Sequence, residues 1–298
     1  MNIAVLLTCH NRKAKTVKCM QSLYDALTHY NRLHEKDFID VEVYLTDDGC
    51  TDGTVEAVSE LALADKIHFI HGDGNLYWAG GMREAWKEVM QNELSWEFYL
   101  LLNDDTVLRY DVFETLLRTH DYVQKVRGKA GLYSGICCDP EDEHETTYGG
   151  DVWTNYLMAR TKRLSPIGKP QECDMCNANV LLISKNVTDD IGFFYEGYQH
   201  AYADYDYSLR AKKMGYPLYL TDSYCGACAH DHKTGEVRNA FVTNMTLSER
   251  KQYFNHPLHS NKDYLTFVRR NAPMRYPYVF VGRLLNIYMP RLYYKIHM

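Results

Sequence analysis

The first half of the chain changes its hydrophobic period at regular intervals. Asn2 to Thr8 (NIAVLLT) is a continuous apolar run of strand length. Lys13 to Leu27 follows with Val17, Met20, Leu23, Tyr24 and Leu27 three and four residues apart, the period of an amphipathic helix. Val41 to Thr46 reads as a second strand, Thr54 to Leu63 as a second helix, and Ile67 to His71 as a third short strand. After Gly80-Gly81 a helix runs to Met90 with Met82, Ala85, Trp86 and Val89 on one side. Glu97 to Leu102 (EFYLLL) is the next strand, and Asp111 is placed to cap a helix with Glu114 as its capping-box partner. Strands alternating with helices predict βαβ units and a largely parallel sheet.

The second half is less regular. Leu132 to Cys138, Asn179 to Ser184 and Tyr216 to Leu220 read as strands, and Ala201 to Met214 as a helix stopped by Gly215. From Asn239 the periodicity blurs, which predicts one domain over 1–238 and a C-terminal helical appendage over 239–298. From Tyr276 to Met298, Tyr, Phe, Leu and Ile interleave with Arg283, Arg291 and Lys295, just after Arg275. That pattern fits an amphipathic segment at a membrane surface, or a helix packed on the main domain. No apolar run reaches the roughly 18 residues that span a bilayer.

Composition narrows the classes. The 298 residues are 46% hydrophobic and carry a formal charge of −6, which excludes duplex nucleic acid as the main partner. The 25 tyrosines offer stacking faces and hydroxyls together, suited to sugars and bases. Nine cysteines, an odd number, with no secretory pattern before the first strand, point to a reducing, cytoplasmic setting. Two Cys-x-x-Cys pairs, Cys173/Cys176 and Cys225/Cys228, are too far apart for an ordinary zinc ribbon, and YCGACAH reads as core.

Polar clusters fall where strands end, which is where open α/β sheets bind ligands. CHNR follows the first strand, Asp47-Asp48-Gly49-Cys50-Thr51-Asp52-Gly53 the second, and Asn103-Asp104-Asp105 the run LLL. The second cluster fails as a calcium loop, because counting from Asp48 places Cys50 at position 3 and Ser59 at position 12. Its carboxylates can instead accept from a nucleobase and ribose, or simply shape a turn. Carboxylates ending a buried strand call for a positive partner, and a divalent cation bridging to a diphosphate supplies one. In Asp204-Tyr205-Asp206 the two carboxylates point to different sides of a helix, leaving one to face a cleft as a base. The other is free to cap the helix or pair with Arg210. His230-Asp231-His232, after an apolar strand, is placed to meet a metal or a phosphate.

In this order, TCHNR, LTDDGCTDGT, NDD, ADYDYSLRAKKMGY and a histidine resemble the family 2 glycosyltransferases of GT-A fold. GNLYWAGGMREA looks like the donor-pocket segment of their rhamnosyl- and galactofuranosyl-transferase branch. The resemblance covers Asn2 to His232 and implies a Rossmann-like, mostly parallel sheet flanked by helices. It implies that Thr8, Asn11 and Arg12 line a nucleotide pocket with Asp47 or Asp48 on the base. Asn75, Trp78, Gly80, Gly81, Asn103 and Asp104 would approach the donor, and Asp105 with His230 or His232 would hold Mn2+ or Mg2+. Asp204 would be the general base of an inverting transfer from a UDP- or dTDP-sugar to a glycan or lipid-linked glycan, in surface polysaccharide synthesis. The expected place is the cytoplasm or the inner face of the cell membrane.

Two positions depart from the pattern. Asn103 stands at the first DxD position, and Ala203 where the family usually has Glu. A catalytically weak nucleotide-sugar or glycan-binding protein is therefore one alternative. The other is a sugar nucleotidyltransferase, against which stands the opening LLTCHNRKAK, a loop without the glycines that cradle a triphosphate.

Overall fold

The structure, a computed structural model, describes residues 1–92, 94–156, 160–230 and 235–297. In chain order it begins with β1 (Asn2–Cys9), α1 (Lys13–Leu33), β2 (Asp40–Asp47), α2 (Thr54–Ser59), β3 (Ile67–His71), α3 (Tyr77–Gln91) and β4 (Phe98–Leu102). Then come β5 (Val107–Leu108), α4 (Val112–Arg127), β6 (Leu132–Cys138), β7 (Thr146–Tyr148), β8 (Gly150–Asn155) and β9 (Arg160–Arg163). β10 (Gln171–Glu172), β11 (Met175–Cys176), β12 (Val180–Ser184), α5 (Lys185–Ile191), α6 (Ala203–Lys213) and β13 (Leu218–Ala227) follow. The rest is helical: α7 (Gly235–Asn244), α8 (Leu247–Asn255), α9 (Asn261–Asn271), α10 (Tyr276–Tyr288) and α11 (Pro290–His297).

Among the described residues the main sheet runs β10-β13-β6-β12-β4-β1-β2-β3, with β5 on β13 and β7 on β6. β3, β2, β1 and β4 are parallel, β12 is antiparallel to β4 and β6, and β13 returns parallel to β6. Every residue of β4, β6 and β12 is buried, which is why these segments read as unbroken apolar runs rather than alternating ones. β8, β9 and β11 form a small second sheet. The strand order reverses at β1, whose two neighbours are β2 and β4. A crevice therefore opens beyond the carboxyl ends of these three strands.

Helices cover both faces. Cys19, Met20, Leu23, Ala26 and Tyr30 of α1 join Phe113 and Leu116 of α4 on one face. Met82, Trp86 and Val89 of α3 join Tyr207 of α6 on the other. The fully buried Trp86 lies among the rings of Tyr99, Phe193, Phe194 and Tyr207 at centroid distances of 5.4–6.1 Å. The two Cys-x-x-Cys pairs lie in opposite layers, Cys173 and Cys176 with α3 and α6, Cys225 and Cys228 with α1 and α4. They make no joint zinc site, and all nine cysteines are free thiols.

The helix boundaries shift where tertiary packing overrides local signals. α1 continues six residues past Leu27 because Tyr30 extends its buried face. α3 starts at Tyr77 and runs through both glycines. Asp111 does precede α4, but its side chain makes no capping hydrogen bond, and Glu114 instead meets His34 Nε2 at 3.1 Å. β13 starts later than Tyr216 and runs to Ala227 with two register shifts against β6. Among the described residues no helix is long and apolar enough to cross a membrane.

Candidate active site

Two loops are laced together at the mouth of the crevice. Asn11, held at a positive φ of 50°, accepts from the Thr51 amide at 2.7 Å, and the Lys13 amide donates to Asp52 at 2.9 Å. Asp47 Oδ1 accepts from the Cys50 amide at 2.8 Å, and its Oδ2 lies 3.4 Å from His71 Nδ1. Asp48 has a different task. Its carboxylate accepts from the amides of Gly74 (2.8 Å), Leu76 (3.2 Å) and Tyr77 (2.9 Å), fixing the segment that enters α3. Of the two aspartates, Asp47 is the one whose carboxylate is not already filled by three amides.

The segment after β3 also separates. Trp78 Nε1 donates to Asn103 Oδ1 at 2.8 Å, tying the start of α3 to the end of β4. Asn75 and Gly80 line a cavity of 320 Å³ walled further by Arg83, Glu196, Gln199 and Lys262. Gly81 faces the sheet instead: a Cβ there would stand 2.1 Å from Thr8 Oγ1, and the Gly81 carbonyl accepts from Thr46 at 2.8 Å. Gly81 and Thr8 are thus a helix–strand contact, where only a missing side chain allows the approach.

Asn103-Asp104-Asp105 closes the crevice. Arg12 forks across the pair, with Nη1 3.0 Å from Asp104 Oδ1 and Nη2 on Asp105 Oδ2, while Lys15 lies 3.8 Å from Asp105. Thr16 donates to Asp104 at 3.2 Å, and the Cys228 thiol lies 3.5 Å from Asp105 Oδ1. Burial pushes the Asp104 carboxyl up to about 6 against the opposing pull of Arg12. The described residues place no cluster of three metal-ligating side chains around Asp105. His230 is exposed and stacks on Tyr148 at 5.8 Å, and His232 lies outside the described residues.

Asp204 stands in the first turn of α6, after Tyr202 at a φ of 67°. Its Oδ2 accepts from the Ala178 amide at 3.2 Å and its Oδ1 from the Tyr205 amide at 2.9 Å. Burial raises this carboxyl to about 6, with those amides and Asn177 working the other way. Two peptide units on, the chain reaches the other cluster, since the Asn179 carbonyl accepts from the Asn103 amide at 3.1 Å. One tripeptide, Asn177 to Asn179, therefore carries Asp204 on one side and the end of β4 on the other. Asp206, two residues on, points away and is bound by Arg210 (3.2 Å), Arg270 (2.9 Å) and Asn271 (2.8 Å). Ala203 is buried in the core layer of Tyr198 and Tyr207, so the place the resemblance gives to Glu is a packing position.

Two supports carried no readable sequence signal. Asp263 of α9, fully buried, accepts from the amides of Gln199 (3.3 Å), His200 (2.8 Å) and Ala201 (3.0 Å). The Gln199 carbonyl in turn accepts from the Ala79 amide at 3.2 Å. Asp151 binds Arg163 at 3.1 Å and accepts from the Tyr205 hydroxyl at 3.2 Å beside Asn177.

With this geometry in view, the sequence matches the profile described as Glycosyl transferase family 2 over residues 4–176. The chain belongs to that family. The matched region holds β1, β2, β4 and the three clusters at their ends. A search of curated proteins finds no match. Among solved structures, the mannosyltransferase PcManGT from Pyrobaculum calidifontis, in complex with GDP-Man and Mn2+, is 13% identical with a TM-score of 0.53. The alignment covers 98% of this chain and 82% of that one. TarS 1-349 from S. aureus is 14% identical with a TM-score of 0.53, covering 96% of this chain and 79% of that one. At such identities the likeness shows the GT-A fold, a mostly parallel sheet flanked by helices, and the family membership makes this a glycosyltransferase.

Proposed function

We propose that the protein moves a sugar from a nucleoside diphosphate donor to an acceptor hydroxyl in a single inverting displacement, with Asp204 as base. The observation that carries the reading is the placement of Asp204, a carboxyl raised to about 6 by burial and held by two amides. A base of that strength is ionised at neutral pH yet retains affinity for a proton. The tripeptide that binds it also accepts from the Asn103 amide at the end of β4, which supports a base held near the donor end of the crevice.

The donor's diphosphate belongs at Arg12, Lys15 and Asp105, and its base at Asn11 and Asp47. The GDP-Man and Mn2+ complex of the mannosyltransferase relative supports a nucleotide sugar and a divalent cation. Asp105 fits such a cation, because Mg2+ and Mn2+ accept one protein carboxylate alongside diphosphate oxygens and water. His230 or His232 would complete the set. A bound cation neutralises charge on the leaving diphosphate. The chain's own groups do the rest: Arg12 adds positive charge beside the phosphates, Asn103 holds Trp78, and Asp204 takes the acceptor proton. Replacing Asp204 by Asn tests the assignment. Transfer should fall by about 10²- to 10⁴-fold while the donor still raises the melting temperature. Transfer at the original rate would remove Asp204 from the mechanism.

The C-terminal helices support the reading of a lipid-linked glycan acceptor, as in surface polysaccharide synthesis. From Tyr264 onward the chain carries Arg269, Arg275, Arg283, Arg291 and Lys295, besides the Arg270 that pairs with Asp206, and no acidic residue, in a protein of net charge −6. Tyr278, Phe280, Val281, Leu284 and Tyr288 of α10 lie exposed there. Apolar side chains among cations suit an anionic lipid surface. The protein should sediment with phosphatidylglycerol vesicles and not with phosphatidylcholine, and serine at Tyr278, Phe280 and Val281 should release it. Unchanged sedimentation of that variant would refute the contact.

A further inference from the structure

Two thiols that the transfer reaction does not use converge with the Asp47 carboxylate beside the Asn11 loop. Cys9 ends β1 almost fully buried, and Cys50 lies half-buried in the acidic loop after β2. Their sulfurs are 3.8 Å apart, and one ligand atom each from Cys9, Cys50 and Asp47 lie within 4.8 Å of one another. With zinc–sulfur bonds of about 2.3 Å, two thiolates on a tetrahedral ion sit about 3.8 Å apart, so the spacing needs no rearrangement. The Asn11 amide donates to Cys50 Sγ at 3.2 Å, a contact that favours sulfur in its charged, ligating form. His71 lies 3.4 Å from Asp47 Oδ2, outside the three-residue cluster, so water would complete the coordination.

We propose that Cys9, Cys50 and Asp47 form a binding site for a thiophilic divalent cation of the zinc class, distinct from the cation of transfer, and that its occupation excludes the nucleotide. Ligand softness separates the two ions. Thiolates select zinc, whereas carboxylate and diphosphate oxygens select magnesium or manganese. Binding forms two metal–sulfur bonds, breaks two S–H bonds and releases two protons to solvent, with no change of oxidation state. The exclusion rests on the proposed place of the base at Asp47, since a carboxylate bound to zinc no longer accepts from a nucleobase. Zinc would then act as a competitor of the donor, read at the entrance of the crevice.

Titrating the purified full chain with Co2+, a spectroscopic substitute for zinc, tests the site apart from activity. The expected result is one thiolate-to-cobalt charge-transfer band per chain, bleached by Zn2+ and lost in Cys50→Ser and in Cys9→Ser. Melting curves of those variants without metal should show that they remain folded. Absence of the band, or an equal band in Cys50→Ser, would overturn the site; loss of the band in only one folded variant would reduce it to a single thiol and overturn it equally. UDP and GDP added to the cobalt form then test the exclusion. Displacement by either supports it, whereas a band that neither nucleotide disturbs leaves the metal site standing and overturns the place given to the base.

Discussion

Asp104 follows the end of β4 and Asp204 stands at the start of α6, and burial raises both carboxyls to about 6. What surrounds them differs. At the β4 end a guanidinium forks over Asp104 and Asp105 with Lys15 behind it, so charge is met by charge. At the start of α6, neutral amides from Ala178 and Tyr205 hold Asp204. A carboxylate whose oxygens are taken up by a guanidinium and a hydroxyl is placed to anchor charge. One held by amides alone keeps a lone pair to offer. The same burial thus yields two chemistries, decided by the neighbours.

Exchanging one group at each side should separate rate from affinity. Asp204→Asn is expected to lower kcat by the 10²- to 10⁴-fold typical of a lost general base, with little change in donor affinity. Arg12→Ala should do the reverse, weakening donor binding by roughly tenfold for a charged contact of about 1.4 kcal/mol. A large kcat loss in both would merge the two sides into one unit. Acidity offers a milder probe. Asp204 must be ionised to accept a proton, so kcat should fall as pH drops through about 6 and level off above it. A flat profile across that range would detach the raised carboxyl from the rate-limiting step.

The β4 side was readable and the α6 side only partly so. Unbroken apolar runs placed β1, β2 and β4, and clusters at strand ends marked Asp47, Asp105 and Arg12 without any tertiary knowledge. Asp48 and Gly81 have structural tasks that the sequence does not announce. Asp48, in the nucleotide loop, closes the Gly74–Tyr77 turn, and Gly81, in the donor-like segment, clears Thr8, tasks visible only once α3 lies on the sheet. Of Asp204 and Asp206, helix geometry alone says that one turns away. Arg270 and Asn271, more than sixty residues later, decide which. Burial works to raise the Asp206 carboxyl, and these partners outweigh it and bring it below the usual range. Such pairs carry no local period, because the partner belongs to another helix.

That distant helix supplies the finest test of the contrast. Asp263 of α9 gathers the amides of Gln199, His200 and Ala201, the turn that leads into α6, and touches nothing at Arg12. It is a positioning residue for one side of the crevice. Asp263→Asn keeps an acceptor of the same shape but replaces charge-assisted bonds by neutral ones, about half as strong. The turn should loosen without unfolding, lowering kcat by a few-fold and leaving the melting shift caused by a nucleoside diphosphate intact. Asp263→Ala should deepen the kcat loss, and Asp263→Glu should not restore it, because the longer side chain has no room in a fully buried site. A purely structural aspartate would lower the melting temperature in all three variants and leave kcat per folded molecule unchanged. A weakened nucleotide shift would instead show that α9 governs the Arg12 side too, and the division drawn between the two carboxylates would fail.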